Sequence, residues 1–138
     1  MKPLLAALLI AAGPALAETH DIDMLNRGAT GPMVFEPAYL RIAPGDTLRF
    51  LPTQPGHNAA TLDGMIPAGA TPFKSRINRE FSVTLDLPGA YGIYCQPHLG
   101  MGMVMVVEVG DGPFDLPLPD SLPQRARDRF DAILSGRP

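Results

Sequence analysis

Cys95-Gln96-Pro97-His98-Leu99-Gly100-Met101-Gly102-Met103 brings a thiol, an imidazole and two thioethers together within one short segment of this 138-residue chain. Cys95 is the only cysteine, and it ends a strand-like segment, Tyr91 to Cys95, that follows the turn Pro88-Gly89. In the run Met103 to Val109, apolar residues occupy both odd and even positions, as expected for a strand in the middle of a sandwich with both faces buried. We therefore predict two neighbouring strands joined by a loop that carries sulfur and imidazole donors.

The segments before this loop also predict short strands. Phe81, Val83 and Leu85 alternate with polar residues, which is the period of a strand with one buried face. Sixteen prolines and fourteen glycines disfavour long helices and favour many tight turns. Further strands are predicted at Ile22 to Leu25, Met33 to Phe35, Tyr39 to Ile42 and Thr47 to Leu51. The predicted fold class is all-β, with the strands packed as a β-sandwich.

Only the C-terminal tail departs from the strand pattern. Asp120 or Ser121 can cap a helix that has Pro123 in its first turn. Apolar residues then recur on one side at helical spacing, at Leu122, Ala126, Phe130, Ile133 and Leu134. We expect this C-terminal α-helical extension to pack against the sandwich.

The N-terminus has the pattern of a secretory signal peptide. Lys2 precedes the apolar run Leu4 to Ala12, and the breaker Gly13-Pro14 and the small-residue triplet Ala15-Leu16-Ala17 follow. The apolar segment is too short for a membrane anchor. We expect cleavage before Glu18, which removes residues 1–17 and leaves residues 18–138 as one exported domain with no membrane span.

Charge and cysteine content exclude several classes of protein. The chain has 11 Lys plus Arg against 14 Asp plus Glu, for a net charge of -3, and only two lysines. It therefore lacks a basic stripe that could bind nucleic acid. One cysteine cannot form an internal disulfide or a zinc ribbon, and no phosphate-binding glycine loop is present.

The donors of the loop suit copper. Soft sulfur stabilises Cu(I), imidazole binds both oxidation states, and a weak axial thioether adjusts the potential. Of the three histidines, His57 lies just beyond a strand and can supply the second imidazole of a His2Cys site with an axial Met. Taken singly, Cys95 could fill the core, His57 could lie in a turn and the methionines could be packing residues. Their joint occurrence indicates a copper site.

Motifs outside the loop strengthen this interpretation, and with them the sequence resembles the pseudoazurins, blue copper proteins of the cupredoxin family. The motifs are Met33-Val34-Phe35-Glu36-Pro37-Ala38-Tyr39, Pro44-Gly45-Asp46-Thr47, Gly56-His57-Asn58, Asp63-Gly64-Met65-Ile66-Pro67 and Pro88-Gly89-Ala90-Tyr91. The likeness runs from about Asp21 through the C-terminal helix. It implies a Greek-key β-sandwich and one copper ion per chain, which cycles between Cu(I) and Cu(II).

The resemblance also implies the ligands, which are His57, Cys95, His98 and Met103. The spacing Cys-x2-His-x4-Met is its most specific part and selects Met103 rather than Met101. In cupredoxins of this kind, the Asn beside the first His ties the two ligand loops together, and Asn58 is the matching residue here.

The implied function is that of a monomeric, periplasmic one-electron carrier rather than an enzyme. The resemblance places it in denitrification, taking electrons from a donor such as a cytochrome complex and passing them to a copper nitrite reductase or similar reductase. We expect partners to dock on a patch of His98, Met33, Pro97, Leu99 and Gly56, with His98 as the exposed ligand.

One departure concerns the partner. Familiar pseudoazurins surround this patch with lysines, whereas Pro55 and Tyr94 precede the ligand motifs here. Arg27, Lys74 and Arg76 can supply part of a basic rim. The carrier function therefore has stronger support in the sequence than the named partner.

Three alternatives remain. A periplasmic copper chaperone would use exposed Met-rich and His-rich motifs, and an enzyme would use Cys95 as nucleophile with His98 as base. A further hypothesis is a second Cu(II) site at Glu18-Thr19-His20, formed by a free amine, two amides and an imidazole. The interpretation we favour for His20 is a surface histidine on the first strand, because strand pairing occupies those amides.

Overall fold

The computed structural model describes residue 13 and residues 15–138. The strands are β1 (Thr19–Gly28), β2 (Gly31–Glu36), β3 (Tyr39–Ile42), β4 (Asp46–Leu51), β5 (Ala60–Thr61), β6 (Phe81–Leu85), β7 (Gly89–Tyr94) and β8 (Val104–Val109). A 3-10 helix spans Gln96–Met101, and the helix α1 spans Gln124–Gly136. Among the described residues, no helix has both the length and the apolar character needed to cross a membrane. Most of the expected signal peptide, residues 1–12 and 14, lies outside the described residues.

The strands form two four-stranded sheets, with the orders β2-β1-β4-β6 and β3-β8-β7-β5. The pairs β1–β4 and β3–β8 are parallel, so the chain must cross between the sheets rather than fold as simple hairpins. Ile22 and Phe50 of the first sheet share one buried core cluster with Ile93 and Val107 of the second. The predicted all-β sandwich is confirmed.

The burial of individual strands follows the sequence pattern. Every residue of β8 is buried: the apolar residues as the pattern predicts for a central strand, and Glu108, which interrupts the apolar run. In β6, Ser82 and Thr84 are exposed while Phe81, Val83 and Leu85 turn towards the core. Both predictions from periodicity are confirmed.

The helix α1 forms where expected, but its start was predicted wrongly. It begins at Gln124, with Pro123 at the N-cap in an extended conformation and no side-chain cap. Asp120 and Ser121 lie before it in a turn that is closed by a hydrogen bond from Leu122 N–H to Pro119 O. Ala126 and Phe130 of α1 are buried in a second cluster with Val104 and Val106, so the helix covers the outer face of β8.

A buried carboxylate holds the C-terminal end of α1 in place. Glu108 is fully buried and accepts hydrogen bonds from Arg41 at 2.9 Å and from Arg137, which follows the helix. Burial raises the pKa of Glu108, but the hydrogen bonds from Arg41 and the Phe114 N–H together with the charge of Arg137 outweigh it and hold the pKa below its ordinary value. The C-terminus is therefore tied to β8.

Three connections meet at one end of the sandwich, which we call the ligand end. They are the end of β1, the loop before β5 and the β7–β8 connection. At the opposite, far end, Gly45 N–H donates to Leu85 O and Gly110 N–H donates to Ile42 O. The strands thus act as a rigid frame that presents the loops of the ligand end.

Candidate metal centre

His57, Cys95 and His98 converge at the ligand end. Sγ of Cys95 lies 3.4 Å from Nδ1 of His98 and 3.7 Å from Nδ1 of His57, and the two Nδ1 atoms are 3.1 Å apart. Cys95 and His57 are buried, whereas His98 is half-buried. Two imidazole nitrogens and one sulfur therefore point at a common centre, which is the donor set that copper prefers.

The β7–β8 connection places two of these side chains. Pro97 lies in the first turn of the 3-10 helix, and the N–H of His98 donates to Cys95 O at 3.1 Å. The connection is closed by Cys95 N–H to Met103 O at 3.0 Å and by Met103 N–H to His98 O at 3.1 Å. These bonds fold the loop so tightly that Met103 lies beside Cys95. The sequence predicted the loop but not its 3-10 turn.

The two loop methionines have different environments. Met103 is fully buried in the same core cluster as Cys95, whereas Met101 is 40% exposed. Gly102 between them adopts a φ of +82°, a conformation that glycine reaches without strain. The turn at Gly102 sends one thioether inward and the other towards solvent.

Cys95 is unsuited to act as a free nucleophile. Burial raises the pKa of its thiol, while the backbone N–H groups of Asn58 and His98 act in the opposite direction by donating to the sulfur. Reactive cysteines have depressed pKa values and are accessible to solvent, and Cys95 has neither property. The donated N–H bonds are of the kind that orient and stabilise a metal-bound thiolate.

His57 is oriented by a residue that the sequence analysis did not single out. Its Nε2 lies 2.8 Å from Oδ1 of Asn26 at the end of β1, so Nε2–H donates and Nδ1 is left to face Cys95. Burial, together with the nearby His98, lowers the pKa of His57. His57 is therefore held neutral, which is the form that binds metal. No sequence signal pointed to Asn26, because the contact joins distant segments.

Asn58 ties the two loops of the centre together, as the resemblance implied. Its Oδ1 accepts a hydrogen bond of 2.8 Å from the N–H of Gln96, and its Nδ2 donates to Ser75 O at 3.1 Å. Ser75 also accepts a bond from the N–H of Ala59 through Oγ. The His57 loop and the Cys95 loop are thus held by a buried network.

The residues expected to surround His98 differ in their exposure to solvent. Pro97 is exposed, while Met33 and Leu99 are half-buried. A Cβ at Gly56 would lie 3.9 Å from Cε1 of His98, so the ring lies against the backbone of the His57 loop. Apolar residues therefore precede and follow the half-buried imidazole in its loop.

His20 lies elsewhere, on β1 at the far end. Its Nε2 is 2.8 Å from Oδ2 of Asp46, and both Thr19 and His20 are paired with β4. A Glu18 carboxylate oxygen lies within 4.8 Å of the nearest ligand atoms of His20 and Asp46. The geometry of His20 is that of the surface histidine on a paired strand.

Comparison with known proteins agrees with this geometry. The family model of copper binding proteins, plastocyanin/azurin family, matches residues 22–110. The pseudoazurin of Paracoccus pantotrophus is 47% identical over 132 residues, which cover 94% of this chain and 91% of that one.

Solved structures give the same result. The pseudoazurin of Methylobacterium extorquens AM1 superposes with a TM-score of 0.79 at 40% identity, over 85% of this chain and 97% of that one. The pseudoazurin of Hyphomicrobium denitrificans superposes with a TM-score of 0.76 at 31% identity, over 87% and 98% of the two chains. The chain therefore belongs to the pseudoazurins, within the plastocyanin/azurin family of copper-binding proteins.

Proposed function

We propose that this chain, a copper-binding electron carrier, holds one copper ion with Nδ1 of His57, Sγ of Cys95, Nδ1 of His98 and the thioether of Met103. The observation that carries the proposal is the convergence of two imidazole nitrogens and one thiol sulfur within 4.8 Å of one another. Met103 completes the set because it is fully buried beside Cys95. The bound ion supplies a one-electron couple between Cu(II) and Cu(I).

The protein's part in electron transfer is to keep this centre rigid. The hydrogen bonds of Asn58 and Asn26 hold the two loops in one arrangement, so little reorganises when the charge of the centre changes by one unit. Burial of Cys95 and His57 excludes water from the thiolate and the inner imidazole. We propose a carrier and not an enzyme, because the buried thiol of Cys95 has a raised pKa and is not accessible to a substrate.

Electrons enter and leave through His98. Of the three converging side chains, His98 alone is not buried; Pro97 and Leu99 flank it in the loop, and its ring lies near Gly56. An apolar surface of this kind is typical of the buried core of a protein–protein interface. We propose that the carrier acts as a monomer and docks through this patch.

Cations flank the patch. The exposed Arg27 follows Asn26, and the exposed Arg76 and Arg79 flank a segment in which Asn78 N–H donates to His57 O at 2.9 Å. In the described part of the chain, no carboxylate forms an ion pair with any of these three arginines.

The positive charge of Arg27, Arg76 and Arg79, unpaired among the described residues, would attract an acidic partner to the ligand end despite a net charge of -3. We propose a copper nitrite reductase, or a similar periplasmic reductase, as acceptor and a cytochrome as donor.

The location that we propose is the periplasm. The N-terminal pattern supports cleavage before Glu18, so residues 18–138 would form the mature carrier. N-terminal sequencing of the exported protein tests this proposal. A first residue other than Glu18 would show that cleavage occurs at a different site.

The visible spectrum tests the copper site directly. Adding one equivalent of Cu(II) to the apoprotein should produce an intense thiolate-to-copper band, lost on reduction and restored on reoxidation. A copper chaperone with thioether and imidazole ligands alone would bind copper without that band. A colourless Cu(II) adduct would therefore contradict the carrier proposal.

A further inference from the structure

The backbone of Met33 adopts a conformation that few side chains tolerate. Its φ is +50°, and the other described non-glycine residue with a positive φ is Asn78. Asn visits this region readily, whereas for most other residues it costs about 1–2 kcal/mol. Surrounding contacts must therefore hold Met33 in place.

Arg129 of α1 supplies such a contact. Its Nη1 donates to Met33 O at 2.7 Å, and Nη1 and Nη2 each lie 3.4 Å from Pro32 O. The guanidinium is half-buried, and within the described residues it forms no ion pair with a carboxylate. The carbonyls of β2 are thus the acceptors that keep this cation in place.

The same helix also contacts the ligand loop. A Cβ at Gly102 would lie 2.8 Å from the backbone O of Arg125, so the first turn of α1 presses directly on the residue before Met103. Beyond the other end of the helix, Arg137 bonds to the buried Glu108 of β8. The helix is therefore anchored at both ends, with Arg129 between the anchors.

Met33 links this contact to the metal centre. The Met33 side chain is half-buried and packs against the core cluster that contains Cys95 and Met103. In the β1–β2 register, Met33 also lies between the partners of Leu25 and Arg27, level with Asn26, which contacts His57. A shift of the Met33 backbone would therefore disturb the ligand end.

We propose that Arg129 is a positioning residue of the metal centre: by fixing the carbonyl of Met33, it holds the Met33 side chain against the ligand end. The inference rests on the copper site proposed above. It assigns α1 a role beyond covering the sheet, since the helix then sets the geometry of the centre from both Met33 and Gly102.

The test compares variants of the copper-loaded protein. Arg129→Gln should change the intensity ratio of the two visible thiolate-to-copper bands and shift the methyl resonance of Met33. Arg129→Lys should restore part of both values, because an ammonium still reaches one carbonyl. Arg127→Gln is the matched control, since Arg127 is also half-buried on α1 but donates to Pro119 O, and it should change neither value.

A double-mutant cycle identifies the route of the effect. If Arg129 acts through Met33, Arg129→Gln should have little further effect on the band ratio in a Met33→Ala background. A full effect in that background would overturn the proposal, as would a band ratio equal to that of Arg127→Gln. A shift in potential without a change in ratio would also overturn it, because that result indicates only the loss of a nearby charge.

Circular dichroism of the apo variants checks that α1 is retained. If Arg129→Gln does not fold, Arg129→Lys carries the comparison with wild type in both Met33 and Met33→Ala backgrounds. A wild-type protein with no visible band would instead contradict the copper site itself, so the failures of the two proposals are distinguishable.

Discussion

Oδ1 of Asn58 accepts a hydrogen bond of 2.8 Å from the N–H of Gln96, and this bond joins the residue after His57 to the residue after Cys95. The contact spans 38 residues of sequence and fixes the distance between the two loops that carry the candidate ligands. Rigidity of the centre therefore depends on an amide side chain that does not itself point at the metal.

Asn58→Ala removes this tie. The N–H of Gln96 and the O of Ser75 then lose their partner, so the free energy of unfolding should fall by about 1–3 kcal/mol. Urea unfolding of the apoprotein measures the change. Ser82→Ala, an exposed change on β6, should stay within about 0.5 kcal/mol of wild type. Coincident unfolding curves for wild type and N58A would contradict the prediction.

Cys95→Ser tests the thiolate. We expect the intense visible band to disappear while far-UV circular dichroism of the apoprotein remains that of a folded sandwich, because the two sheets share a core that extends well beyond Cys95. Absorption after addition of Cu(II) and circular dichroism are the measurements. A band of wild-type intensity in C95S would show that another group supplies the charge transfer.

Substitution of Met103 and substitution of Met101 should affect the reduction potential differently. Met103→Leu should raise the reduction potential while the blue site survives, because loss of an axial donor favours Cu(I). Met101→Leu should leave the potential and spectrum nearly unchanged, since Met101 is 40% exposed. Redox titration of both variants decides the assignment, which fails if their effects are exchanged.

The two histidines should respond differently to acid in the reduced protein. His98 is half-buried, and Cu(I) accepts three ligands, so His98 should be the ligand that detaches from reduced copper. His57 should stay bound, because burial and the nearby His98 lower its pKa and so favour the neutral form that binds metal. NMR of the imidazole protons as the pH is lowered follows both ligands, and detachment of His57 before His98 would contradict this order.

Asp46 should make stability depend on acid pH. A hydrogen bond from the Glu18 N–H and one from His20 lower the pKa of Asp46 in the folded state. A carboxylate with a lowered folded pKa stabilises the fold above its unfolded pKa, and that contribution is lost as pH falls through the folded value. Melting temperatures should therefore fall more steeply below about pH 4 in wild type than in Asp46→Asn.

Asp131→Asn is the control for this series, because Asp131 is exposed on α1 and forms no ion pair among the described residues. Its acid profile should follow that of wild type. A profile for Asp46→Asn that also matched wild type would show that Asp46 does not carry the pH dependence.

The sequence was sufficient wherever the determining contacts are local or periodic. Apolar and polar residues alternate in β6, which shows that one face of this strand is buried. In β8, apolar residues occupy alternate and intervening positions, which shows that both faces are buried, because successive strand residues point to opposite sides. The spacing of Cys95, His98 and Met103 is short enough that one loop must carry all three. The start of α1 was missed because Pro123 takes the N-cap itself, which leaves Asp120 and Ser121 in the turn before the helix.

Only the tertiary structure decided which distant groups support the site. Asn26 contacts His57 across 31 residues of sequence, and Arg129 reaches Met33 across 96 residues. Hydrogen bonds of this kind leave no periodic trace in the sequence, because each joins single residues brought together by sheet packing. The sequence alone therefore determined the candidate imidazole, thiol and thioether donors and their order along the chain. The packing of the two sheets and of α1 determined how these side chains are oriented and how deeply they are buried.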